Sequence, residues 1–144
     1  MKVFCDTSVL VAASVRQHPH FPRAHPVLAA IAKKRDEGFI SAHSLAETYS
    51  ALTMLPVQPR LLPADAARIV EANLKAHFKL VTVTAPMYAR AIDACVRLGL
   101  LGGHVYDALL LECARQTRVG RIYTFDLQDF RRLAPDLADR IAAP

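Results

Sequence analysis

A chain of 144 residues, 53% hydrophobic and 22% charged, is long enough for one domain with a buried core and too short for two. No apolar run approaches the roughly 18 residues of a membrane span, and Asp6 interrupts the apolar stretch that follows Lys2, so neither a membrane protein nor a secreted one is expected. Eighteen Lys and Arg against thirteen Asp and Glu leave a net charge of +5, which suits a polyanionic substrate or an acidic partner.

Strand-like and helix-like segments alternate, the signature of a parallel sheet flanked by helices. Lys2 to Cys5 reads as the first strand, and Thr7 to about Val15 as a helix on Val9, Leu10, Ala12 and Ala13. Gln17 to Pro22 reads as a loop because of its two prolines. A second helix is expected from about Arg23 to Glu37, stopped by Gly38, and then a short strand over Phe39, Ile40 and Ser41. A third helix covers about Ser44 to Met54, Pro56 to Pro63 form a connection, and a fourth helix covers about Ala64 to Ala76. Lys79 to Val83 is a strand, Ala85 to Leu98 a helix ended by Gly99, and His104 to Thr117 the most apolar helix. Arg121 to Thr124 is the last long strand, followed by a short helix near Asp129 to Leu133. The tail after Pro135, with Leu137 and Ile141, is expected to pack loosely on the surface or on a partner. Cys5, Cys95 and Cys113 lack metal-ligand spacing and sit among apolar residues, so they read as buried free thiols of a reducing cytosol.

Four acids carry the chemistry: Asp6, Glu47, Asp107 and Asp126. Asp6 and Asp126 close short apolar runs, which puts them at strand carboxyl ends, where open α/β sheets form their ligand crevice. Carboxylates gathered there without cations repel, and a hard divalent ion is their natural partner. Each acid also has a plain structural reading. Asp6 and Asp126 are each suited to cap the helix that follows, and Ser44 with Glu47 fits a capping box. Asp107 lies in the first turns of its helix, where the dipole tolerates an anion. Asp129, three residues after Asp126, reads as a cap or as a fifth member of the site. His18, His20 and His25 in the Pro-rich loop match no ligand spacing, and His104 and Tyr106 flank Asp107 as packing or substrate-contacting residues.

The motifs Asp6-Thr7-Ser8-Val9-Leu10-Val11, Ser44-Leu45-Ala46-Glu47, Gly102-Gly103-His104-Val105-Tyr106-Asp107-Ala108-Leu109 and Thr124-Phe125-Asp126-Leu127-Gln128-Asp129-Phe130 occur in that order. Together they resemble the PIN-domain ribonucleases, and within them the VapC-type toxins of toxin–antitoxin pairs, over nearly the whole chain. The resemblance implies a single domain over residues 1–144 with a three-layer α/β/α fold, its central sheet mostly parallel and flanked by helices. It implies a metal-dependent endoribonuclease with Asp6, Glu47, Asp107 and Asp126 catalytic, and Asp6, Asp107 and Asp126 holding Mg²⁺, for which Mn²⁺ can substitute. Thr7, Thr124 and Asp129 are the expected supporting residues. It also implies a cytoplasmic homodimer, an RNA substrate and a cognate antitoxin. Apolar residues around Leu52, Met54 and Leu55 agree with a dimer.

Other classes fit less well. A haloacid-dehalogenase-type phosphatase needs an acid two residues after its first Asp, where this chain has Ser8. A receiver domain needs an acidic pair near the N-terminus and a later Lys, and neither is evident. A catalytically silent module of the same fold, or a DNA-directed nuclease using the same acids, stays open on sequence alone.

Overall fold

The computed structural model describes residues 1–144. Five parallel strands form one sheet in the order β3–β2–β1–β4–β5. They are β1 (Lys2–Cys5), β2 (Glu37–Ser41), β3 (Lys79–Val81), β4 (Arg121–Tyr123) and β5 (Ile141–Ala142). Val3 stands opposite both Gly38 and Arg121, which fixes β1 in the centre. The helices are α1 (Thr7–Ser14), α2 (Phe21–Ala32), α3 (His43–Met54), α4 (Pro63–Ile69), α5 (Ala85–Leu98), α6 (His104–Thr117) and α7 (Leu127–Leu133). They cover both faces of the sheet, completing the three-layer α/β/α architecture expected from the sequence.

The alternation of β1 divides the core. Phe4 points into a cluster built with α5, α6 and α7, which includes Leu110, Ile122 and Phe130. Val3 and Cys5 point to the other side, against Leu10, Leu28, Ile31 and Ile40 from α1, α2 and β2. Because successive strand residues face opposite sides, three buried residues of one strand join two separate cores. Burying each large aliphatic or aromatic side chain stabilises the fold by about 1.5–3 kcal/mol. Cys5, Cys95 and Cys113 are all buried free thiols, as their apolar neighbours suggested.

Several boundaries differ from the sequence reading. Helix α2 opens two residues before Arg23, at Phe21, with Pro22 in its first turn, where a missing N–H costs nothing. It ends at Ala32, well before Gly38, and Lys34 turns the chain with a left-handed φ of 57°. Glu37 and Gly38 belong to β2. Gly38 is therefore no helix stop. A Cβ at that position would sit 2.8 Å from Ile31 Cγ2 and from Phe78 Cδ1, so the strand needs glycine to let both side chains close over it. The fourth helical segment is α-helical only to Ile69 and continues as a π-helical turn, Val70–Lys75. β3 ends at Val81 and β4 at Tyr123, each short of its expected end, while α7 begins two residues early at Leu127. The tail does not pack loosely: a 3₁₀ turn, Pro135–Arg140, leads into β5, with Leu137 and Ile141 buried. Leu52 fills a small third core with Val11, Val15 and Ala66, and Leu55 packs against it.

Gly38→Ala is expected to lower stability by about 1–3 kcal/mol through overpacking against Ile31 and Phe78. Denaturant unfolding midpoints check this; an unchanged midpoint contradicts the close-approach account.

Candidate active site

β1 and β4 are neighbours at the place where the chain changes direction across the sheet, and the crevice beyond their carboxyl ends gathers the acids. Asp6 follows β1 directly and is the N-cap residue of α1, only 6% exposed. Its backbone N–H donates to Tyr123 O of β4 at 2.9 Å, locking the loop to the neighbouring strand. Its Oδ2 accepts from Ser8 Oγ at 2.6 Å and from Thr124 Oγ1 at 2.9 Å. Thr124 is fully buried and spends its one hydroxyl proton on Asp6, while its oxygen accepts from Asp126 N at 3.0 Å. One side chain thus fixes both acids that close the strands. Ser8 works similarly, accepting from Phe125 N at 3.3 Å. Thr7 Oγ1 reaches Ser44 Oγ at 3.5 Å, a weak tie between α1 and α3.

Glu47 lies one turn into α3, but the expected capping box is absent: the helix opens at His43, and Ser44 is buried without capping it. Glu47 Oε1 is buried and accepts no hydrogen bond. His43 Nε2 lies 3.5 Å from that oxygen, an ion pair only when the imidazole is protonated. Asp126 does cap α7, accepting from Asp129 N at a long 3.4 Å. Asp129 is thereby freed from capping, and its carboxylate faces His104 Nδ1 at 3.6 Å.

Asp107 stands at the centre. His104, Asp107 and Asp129 each offer one ligand atom within 4.8 Å of the others. This trio shares only Asp107 with the expected set of Asp6, Asp107 and Asp126; the other two act on Asp107 through their charge. Burial, then the fields of Asp6, Asp126, Glu47 and Asp129, push the Asp107 carboxyl up to about 7. Burial likewise raises Asp6, against the pull of the Ser8 and Thr124 hydroxyls, and raises Glu47 and Asp126. No Lys or Arg pairs with any of these five acids. Carboxylates gathered without a cation, one of them with an unsatisfied buried oxygen, are a donor set suited to a hard divalent cation.

His104 was legible only as a flanking residue, although its spacing of three from Asp107 on one helix puts the two side chains on the same face. His43 gave no signal, and its four-residue spacing to Glu47 on α3 is the one that could have revealed it. Its ring stacks on Tyr106, with centroids 5.7 Å apart. Two of the histidines read as loop residues lie outside the cluster, His20 in the loop stacked on Phe125 and His25, a residue of α2 rather than of the loop, stacked on Phe21.

The PIN domain family model matches residues 3–135. The chain belongs to the PIN-domain family. Among curated relatives, Ribonuclease VapC27 of Mycobacterium tuberculosis is 38% identical over 113 residues, covering 78% of this chain and 77% of the relative. Ribonuclease VapC40 of the same organism is 34% identical over 114 residues, covering 73% of this chain and 72% of the relative. Of the solved structures, Mycobacterium tuberculosis VapC20, a sarcin-ricin loop cleaving toxin, superposes with a TM-score of 0.71 at 22% identity over 88% of this chain and 92% of that one. VapBC2 from Rickettsia felis, bound to a DNA fragment from their promoter, gives a TM-score of 0.66 at 18% identity over 99% and 98%. These structures share the fold, and the closer curated relatives make this a VapC-type PIN domain.

The raised Asp107 sets a pH dependence for the metal-free protein. Its pKa is about 7 when folded against an ordinary 3.8, so between these values the native state binds more protons than the unfolded chain, and stability falls as pH rises. The penalty is absent below about pH 4 and complete above about pH 7. In EDTA, Asp107→Asn should therefore gain stability on the wild type steadily from pH 4 to 7. A difference between their unfolding midpoints that stays flat across this range contradicts the charge cluster.

Proposed function

We propose that this chain is a divalent-metal-dependent endoribonuclease of the cytoplasm, the toxin of a type II toxin–antitoxin pair. The observation that carries this reading is Asp107, raised to about 7 by burial and four neighbouring acids with no Lys or Arg among them. The 38% identity to Ribonuclease VapC27 supports RNA as the substrate and a cognate antitoxin as the partner. The presence of Asp6, Glu47, Asp107 and Asp126 around one crevice speaks against a catalytically silent module.

Asp107 would hold Mg²⁺ or Mn²⁺, with Asp129 and His104 beside it and with Asp6 and Asp126 contributing through water. Such an ion, once bound, supplies a water of lowered pKa and neutralises charge on the scissile phosphate. Thr124 and Ser8 hold Asp6 in one rotamer, so the carboxylate is aimed before a ligand arrives. Glu47 would accept the proton of the attacking water at Oε1, the buried carboxylate oxygen that no protein donor satisfies. Tyr106 and His43, stacked beside Asp107 and Glu47, would border the substrate.

Cleavage of RNA is expected with Mg²⁺ or Mn²⁺ and should vanish on adding EDTA. Asp107→Asn and Glu47→Gln should each cut the rate by two orders of magnitude or more, at unchanged secondary structure, on the scale of general acid–base and metal-site losses. Full activity in EDTA would overturn the metal mechanism.

The homodimer belongs to the same proposal. Of the residues that suggested it, Met54 alone is strongly exposed, at 71%. Tyr49, also on α3, and Leu62, just before α4, are exposed as well. Light scattering should give twice the 15.8 kDa chain mass, and Met54→Glu should shift it toward one. A monomer mass at tens of micromolar protein would rule the dimer out.

A further inference from the structure

We propose that an arginine-lined face of α5, α6 and α7 is the track along which the RNA strand runs from the acidic crevice, held by its phosphates. RNA as the ligand rests on the ribonuclease reading above; the track itself rests on geometry that reading does not use. It begins at the crevice. Asp129 and Arg132 are three residues apart on α7, so the first guanidinium of the track stands one helical turn from the acid cluster.

From there three clefts of 350 to 510 Å³ connect through shared walls. Arg132, Arg97 and Arg115 line the first; Arg97 and Arg115 continue into the second with Arg90. Arg90 and Arg115 then line the third with Arg118. The array is held in place from below. Glu112, 8% exposed, accepts from Arg90 Nε at 2.7 Å and from Arg115 Nη1 at 2.8 Å. Arg115 is further fixed by two bonds to Asp136, at 3.2 and 2.7 Å.

What remains unspent faces solvent. A guanidinium carries five donors in a planar fork that matches a phosphate. Arg90 spends only Nε on the protein, and Arg132 one Nη, on Leu98 O at 3.4 Å. Arg97 and Arg118 are exposed and make no ion pair or side-chain hydrogen bond. Across the clefts five guanidinium groups meet three carboxylates, Asp93, Glu112 and Asp136, so this face is positive where the crevice is negative. An acidic protein segment would also find such a surface attractive. The one-turn spacing of Arg132 from Asp129 favours a strand whose scissile bond lies at Asp107 and whose flank extends outward. From Asp107 on α6 to Arg118, the residue just past its end, is about 17 Å at 1.5 Å per residue, or about five nucleotides of a stacked strand at ~3.4 Å each.

The experiment measures binding, not cleavage. Fluorescence anisotropy in EDTA compares a labelled 20-nucleotide single-stranded RNA with a 4-nucleotide one, both of mixed sequence. The proteins are the wild type, an Arg97→Gln/Arg118→Gln double variant and its Arg97→Lys/Arg118→Lys counterpart. The Gln variant should bind the 20-mer about tenfold more weakly, and its salt slope should fall by about 1.4, for two phosphate contacts at ~0.7 each. Binding of the 4-mer should not change, and the Lys variant should keep most of the affinity. Wild-type affinity and slope of the Gln variant for the 20-mer overturn the track. So does a Gln variant that keeps RNA binding but loses a purified cognate antitoxin, which would make this face a protein-docking surface. A wild type that binds neither RNA overturns the track, and cleavage in Mg²⁺ then decides the ribonuclease reading on its own. Binding through Arg97 and Arg118 without cleavage in Mg²⁺ leaves the track standing and removes only the active-site reading.

Discussion

Confinement of like charge at the carboxyl edge of the sheet is the constraint around which this molecule is arranged. Two unit charges about 4 Å apart near a protein surface cost on the order of 4 kcal/mol. A hydrogen bond to a charged group returns only about 1.5–3 kcal/mol. The hydroxyls of Ser8 and Thr124 can therefore orient Asp6, yet they do not offset a crowd of five carboxylates. Part of the cost is relieved by protons, which is why Asp107 is raised to about 7. The rest has to be carried by the scaffold. β1, buried on both faces and shared between two cores, is the element rigid enough to do so.

This explains the division of labour among the elements. The strands are short, three to five residues in the four longer ones, and their length beyond the core serves only to place Asp6 and Asp126. The helices that carry Glu47 and Asp107 begin at the same edge, so their first turns project side chains into the crevice. Thr124 closes the arrangement: one buried hydroxyl connects the acid after β1 to the acid after β4. A shift of β4 by one residue would send Thr124 to the other face of the sheet and break its bond to Asp6.

Much of this was legible in the sequence, for reasons that differ by residue. Asp6 and Asp126 follow β-branched or aromatic runs, and a strand end is a local signal. Helices α5 and α6 were bounded correctly because Gly99 and the Gly102-Gly103 turn punctuate them. Gly38 misled because glycine marks both a helix end and a close approach, and only Ile31 and Phe78, distant in sequence, decide between them. β5 was invisible because two residues have no period; its burial comes from Ile122, nineteen positions upstream and its partner in the ladder. His104 and Asp129 were ambiguous because a cap, an ion pair and a ligand use the same residue types. Which role each plays depends on Asp126 having taken the cap first.

The same distinction separates structural from functional charge elsewhere in the chain. Asp6 and Glu112 are the two acids buried below a tenth of their surface. Glu112 is held between two guanidinium groups, and removing either would leave an uncompensated charge. Asp6 has hydroxyl donors and no cation. A fold that only needed stability would supply Asp6 with an arginine as it supplied Glu112, and the chain has arginine to spare a few turns away. It keeps that arginine on the outer face of α5 and α6 and leaves the crevice negative. An acid buried with a partner reports on architecture; an acid buried without one, beside others like it, reports on a charge that arrives from outside.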